Sequence, residues 1–152
     1  MPELTKGKKA PDFSLLDSFE KKTKLSSFCG KKVVLYFYPH DLTSGCTTEA
    51  CEFTEALNLF VKKGAVVIGV SNDSPKSHRE FIQKNNLKII LLSDTDKKVA
   101  GKYGVYREKS MYGKKYMGIV RTTFLIGEKG KISKIWPKVT PLGHAKEVLA
   151  AL

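Results

Sequence analysis

"KKVVLYFYPHDLTSGCTTEACEFTEALNLFVKKGAVVIGVS", residues 31–71, is the stretch on which the reading of the fold turns. Residues 31–39 are a β-branched and aromatic run closed by Pro39, which predicts a buried strand. Residues 46–62 place Phe53, Leu57, Phe60 and Val61 at helical spacing, and Gly64 stops the run. "AVVIGVS" (65–71) predicts a second buried strand. Strand, helix and strand in that order make a βαβ unit, whose strands run parallel.

Outward from this unit the alternation continues. Residues 12–17 and 22–25 predict a short strand pair around the polar turn "DSFEKK". Residues 74–86 predict a helix with Ser74 as N-cap and Pro75 in its first turn. A third strand is expected at 88–94 and a short helix at 95–104, ending at Gly104. "MYGKKYMG" (111–118) is turn-rich. "VRTTFLIG" (120–127) and "KISKIWP" (131–137), joined by "EKG", predict an antiparallel hairpin, and residues 142–152 a closing helix. The class is therefore α/β, with parallel and antiparallel strands in layers with helices. No repeat, low-complexity tract or linker divides the chain, so one domain over 1–152 is expected.

Bulk properties narrow the function. A chain of about 150 residues buries roughly 68–70% of its unfolded surface, enough to need no metal or disulfide staple. Hydrophobic residues make up 41% and charged residues 28%, as in globular proteins generally. Net charge is +12, from 27 Lys+Arg against 15 Asp+Glu, but the lysines are spread along the whole chain in short pairs. That pattern reads as a solvated basic surface rather than a nucleic-acid site, and no zinc-finger or RNA-binding motif accompanies it. No apolar run approaches the ~20 residues of a membrane span, and the first residues lack a signal-peptide layout. A cytoplasmic protein without a membrane role is expected. Three cysteines, Cys29, Cys46 and Cys51, are too few and odd in number for a secreted disulfide scaffold.

Cys46 stands out by its setting, "YPHDLTSGCTTEACEF" (38–53). A strand ends at Pro39, a loop of small and polar residues follows, and Cys46 opens a helix. Helix N-termini present unpaired N–H groups and the positive end of the dipole, and both favour thiolate over thiol. Cysteines so placed have pKa values of roughly 3.5–7.5. Thr43 lies where its hydroxyl can reach the sulfur or a bound oxygen, Pro39 can wall off one side, and Gly45 permits close backbone approach. A lone cysteine is more often a small buried hydrophobe; the Pro-x3-Thr-x2-Cys spacing between strand and helix sets this one apart. Arg121, at the start of "RTTFLI", reads by itself as a surface residue.

With "APDFSL", "VVLYFYPHDLTSGCTTEACEF", "VIGVSNDSPKSHREF", "LLSDTDKKVAGKYGV" and "MYGKKYMGIVRTTFLI", the chain resembles the peroxiredoxins, within them the bacterioferritin comigratory protein or peroxiredoxin Q subfamily. One departure is Ser44, where the subfamily often has proline. The resemblance implies a thioredoxin-like fold, a central mixed β-sheet flanked by helices. It implies Cys46 as peroxidatic cysteine with Thr43, Arg121 and Pro39 as its supporting shell, and hydrogen peroxide and organic hydroperoxides as substrates. It favours Cys51 as the in-chain resolving thiol, thioredoxin or a similar dithiol protein as reductant, and a monomer. No cofactor and no metal are implied.

Geometry adds one requirement. Five residues along a regular helix separate two Cα atoms by roughly 8–9 Å, beyond the ~7 Å limit for a disulfide. The first helical turns must therefore unwind for Cys46 and Cys51 to join. Cys29 reads as a bystander, His40, His78 and His144 as surface histidines, and Trp136 as packing. Two other classes remain open: a thioredoxin-type disulfide oxidoreductase, which needs Cys-x2-Cys where this chain has Cys-x4-Cys, and a non-enzymatic basic interaction module. A metal site at Cys46, Cys51, His40 and Asp41 lacks a second ligand pair at zinc spacing.

Overall fold

The computed structural model describes residues 4–152. Residues 1–3, the start of the segment without a signal layout, lie outside the described residues. In chain order the elements are β1 (Ser14–Asp17), β2 (Lys22–Lys24), a 3-10 turn (Leu25–Phe28), β3 (Lys32–Phe37), α1 (Ser44–Lys62), β4 (Ala65–Ser71) and α2 (Pro75–Asn85). Then come β5 (Ile90–Ser93), α3 (Lys98–Lys102), β6 (Tyr106–Met111), β7 (Lys114–Ile119), β8 (Thr122–Ile126), β9 (Ile132–Trp136) and α4 (His144–Ala150).

Seven strands form one mixed sheet in the order β2-β1-β5-β4-β3-β8-β9. β3, β4 and β5 are parallel, as the βαβ reading requires, while β1, β8 and β9 join antiparallel. The central strands are apolar on both faces because both faces are covered. On one side Phe53 and Phe60 of α1, Phe81 of α2 and Val148 of α4 pack on Val34, Tyr36, Val67 and Leu91. On the other, Phe13, Leu25, Val99 and Tyr103 pack on Leu35, Phe37, Val70 and Phe124. Trp136 is packed at the end of β9 against the His144 ring, at 5.7 Å between centroids.

Three expectations need correction. Helix α1 starts at Ser44, two residues before Cys46, because extended Thr43 ends the loop and its carbonyl already takes the Thr47 N–H at 2.9 Å. The turn-rich segment is a hairpin: β6 and β7 pair antiparallel through Tyr112 and Gly113, both at positive φ (52° and 78°). Such a two-residue turn matches strand twist. Both strands are rich in charged residues and mostly exposed, so they carry no apolar alternation that would have marked them. Finally, His78 and His144 are not surface residues; their side chains are 0% and 1% exposed.

Candidate active site

The sheet register builds the site. Phe37, the last residue of β3, pairs with Thr122, the first of β8. Arg121, one residue ahead of β8, therefore arises beside the end of β3, where the loop 38–43 leads into α1. Its guanidinium reaches the helix start: Nη2 donates to Cys46 Sγ at 3.3 Å and Nη1 to Glu49 Oε1 at 2.7 Å. Cys46, the third residue of α1, is buried. Arg121 is not the surface residue that its position alone suggests; its side chain is 15% exposed.

Glu49 was not legible as a site residue, yet a signal existed. Cys46, Glu49, Ala50, Phe53 and Phe60 form the buried stripe of α1, and a carboxylate on an apolar stripe calls for a partner. Burial pushes Glu49 up to about 7, against the attraction of Arg121, with Glu52 adding to the push. Its Oε2 has no partner among the described residues. For Arg121 burial works against the charge, but Glu49 and then Cys46 outweigh it and hold the guanidinium above its ordinary value. The arginine is a fixed cation, and the carboxyl shares a proton near neutrality.

Thr43 does not use its side chain as a cap; its hydroxyl donates to the His40 carbonyl at 3.2 Å. A capping threonine would occupy the N–H of the second or third helical residue. Here that cap is not made, and the N–H groups of the first turn precede the helical ladder. Gly45 has its purpose in the same place: an added Cβ would sit 3.2 Å from Arg121 Nη2 and 3.3 Å from Pro141 Cγ. Its missing side chain makes room for the guanidinium. Pro39 is half-buried, two residues past β3.

Cys51 lies on the same unbroken helix as Cys46, half-buried against the core, and both are free thiols. Burial, then Glu55, pushes the Cys51 thiol up. Cys29 is exposed, with its sulfur 3.8 Å from the Glu128 carbonyl. Just beyond Cys51, Glu52 accepts the Gly143 N–H at 2.9 Å, tying α1 to the start of α4. No group of His, Cys, Asp and Glu suited to a metal occurs among the described residues, and no helix there is long and apolar enough to cross a membrane.

The model of the AhpC/TSA family matches residues 6–135. Peroxiredoxin Bcp of Bacillus subtilis is 47% identical over 146 residues, which cover 96% of this chain and 93% of that one. Among solved structures, PrxQ of Xylella fastidiosa has a TM-score of 0.94 at 37% identity, over 99% of this chain and 96% of that one. The bacterioferritin comigratory protein of Xanthomonas campestris, described for its alkyl peroxide reduction, has a TM-score of 0.87 at 43% identity, over 91% of this chain and 88% of that one. The expected thioredoxin-like α/β fold is the one these structures share with it. Alike in sequence and in fold over most of its length, the chain belongs to the AhpC/TSA family and is a peroxiredoxin of the bacterioferritin comigratory protein, or peroxiredoxin Q, group.

Proposed function

We propose that Cys46 is the peroxidatic cysteine, that Cys51 resolves it, and that a dithiol protein such as thioredoxin completes the cycle. The observation that carries this reading is the 3.3 Å bond from Arg121 to Cys46 Sγ within the first turn of α1. A fixed cation and the helix N-terminus together favour the thiolate.

The thiolate attacks one oxygen of the hydroperoxide and the O–O bond breaks. Cys46 becomes a sulfenic acid and the other oxygen leaves, protonated, as water or an alcohol. Donors aimed at the departing oxygen lower the barrier, and the Arg121 guanidinium and the first-turn N–H groups supply them. Thr43 and Pro39 bound the approach. The Cys51 thiol then attacks the sulfenic sulfur; water leaves and a disulfide forms. A dithiol donor reduces that disulfide and is itself oxidised. The substrates are hydrogen peroxide and organic hydroperoxides, and the alkyl peroxide reduction described for the Xanthomonas relative supports the organic class. An in-chain resolving thiol removes the need for a second subunit, so the working form is a monomer. Three cysteines, too few and odd in number for a secreted disulfide scaffold, suit the cytoplasm.

Turnover of hydrogen peroxide with thioredoxin, followed for wild type, Cys46→Ser and Cys51→Ser, tests this. Cys46→Ser should be inactive, and Cys51→Ser should stop after one equivalent with a sulfenic acid at Cys46. A Cys46→Ser protein that still turns over peroxide would overturn the assignment.

A further inference from the structure

The loop that delivers Thr43 and the first turn of α1 contains a strained residue. Leu42 sits at φ 65° although it is not glycine and is exposed. Conformations of this kind persist only where the surroundings impose them. The residue before it is held from several sides. The Asp41 side chain is only 2% exposed and takes three donors: Tyr38 OH on Oδ1 at 2.6 Å, and Ser77 Oγ and His78 Nδ1 on Oδ2, each at 2.7 Å. Its own N–H is held by Asp73 Oδ2 at 2.8 Å, and that carboxylate oxygen is fixed in turn by Ser71 Oγ at 2.6 Å.

His78 is the buried centre of this cluster. Its Nδ1 faces the Asp41 carboxylate and its Nε2 faces the Leu92 carbonyl at 3.0 Å. Each ring nitrogen therefore has a polar partner on a different element. An imidazole ring buried completely in α2 is thus bolted on one side to the sheet at β5 and on the other to the peroxide-site loop. A buried pair of this kind is costly to break and specifies one arrangement of the groups it joins.

From these contacts we infer that His78 is a positioning residue for peroxide reduction: through Asp41 it holds the loop 39–43 so that Thr43 and the first turn of α1 face the incoming hydroperoxide. It touches no reacting atom. The inference rests on Cys46 being the attacking thiolate.

The test is the second-order rate of Cys46 oxidation by hydrogen peroxide, measured by stopped flow together with the melting temperature. Asparagine places its amide nitrogen where Nδ1 stands, and glutamine where Nε2 stands. His78→Asn can therefore keep the bond to Asp41, and His78→Gln only the one to Leu92. Each loses one bond, so a merely structural role would slow both alike. The expected result is a rate within about threefold of wild type for His78→Asn and a loss of about tenfold or more for His78→Gln, His78→Ala and Asp41→Asn. Adding Asp41→Asn to His78→Gln should cost little more, since the two residues act as one unit. Val99→Ala, in the core on the far side of the sheet, supplies a destabilised control that keeps its rate. Equal rates for His78→Asn and His78→Gln, with wild type reactive, overturn the inference and leave the peroxidase reading intact. A wild type inert to peroxide overturns both.

Discussion

Arg121 holds Glu49 at 2.7 Å, one helical turn beyond the cysteine that the same guanidinium touches. The carboxyl steers the arginine, and the arginine steers the sulfur. Glu49→Ala removes a bond to a charged group, worth about 1.5–3 kcal/mol, and frees the guanidinium to move. The rate of Cys46 oxidation should fall about 10- to 100-fold, with Glu49→Gln, which keeps an acceptor, falling less. Stopped-flow oxidation of the two variants checks the order.

Glu49 also makes the start of α1 sensitive to pH. Its pKa is raised by burial to about 7, above the ordinary 4.5. A carboxyl raised in the wound helix stabilises the wound form below pH 4.5, and that stabilisation is lost as pH climbs through about 7. Unwinding, and with it the Cys46–Cys51 disulfide, should become easier across this window, by a factor on the order of 100 at most. Disulfide formation after a single peroxide pulse, followed from pH 5 to 8, should accelerate. In Glu49→Gln the dependence should flatten to what Cys51 ionisation alone imposes.

The proposed unwinding has a defined stop. Glu52 is tied to Gly143 at 2.9 Å, and Phe53 stacks on Tyr36 at 4.9 Å between ring centroids. Hydrogen exchange of the oxidised protein should show lost protection over residues 44–51 and unchanged protection from 53 onward. Loss of protection along the whole helix would remove this boundary.

At Gly45 stability and activity should separate. Alanine there is favoured over glycine in a helix by roughly 0.5–1 kcal/mol, yet its Cβ would meet Arg121 Nη2 at 3.2 Å. Gly45→Ala should melt no lower than wild type while oxidising about tenfold more slowly. Calorimetry and stopped flow on one preparation decide it.

His144 should sensitise the fold to acid. Burial lowers its pKa, against Glu147, which raises it. The ring is bonded to Thr123 at 2.8 Å and to Glu147 at 2.9 Å. A depressed histidine contributes stability above pH 6.5 that is lost as pH falls. Urea unfolding at pH 8 and pH 5 should show a larger drop for wild type than for His144→Asn.

The sheet and its helices were legible wherever burial imposed a period. The run ending at Pro39, "AVVIGVS" and the stripe of Phe53 and Phe60 each face a core, and each became the expected element. The β6–β7 hairpin faces solvent on most of its length, so its side chains obey no such period. Cys46 and Arg121 could be named, but their meeting depends on the register of Phe37 against Thr122, which local sequence does not encode. Glu49 escaped notice, and His78 and His144 read as surface residues, because helix periodicity is read from apolar residues, and these three polar side chains occupy apolar positions in their helices. Each is tolerated there by a partner from a distant segment, Arg121, Asp41 or Thr123.

Because both thiols ride on one rigid helix, α1 serves as a timer in the proposed cycle. A sulfenic acid at Cys46 waits for as long as the first two turns stay wound, and during that wait a second peroxide can carry it irreversibly to the sulfinic acid. The grip of Arg121 on Glu49 thereby sets a tolerance. A tighter clamp speeds the first reaction but lengthens the exposure, so the dose of oxidant that silences the protein is written in the strength of a bond two steps away from the sulfur.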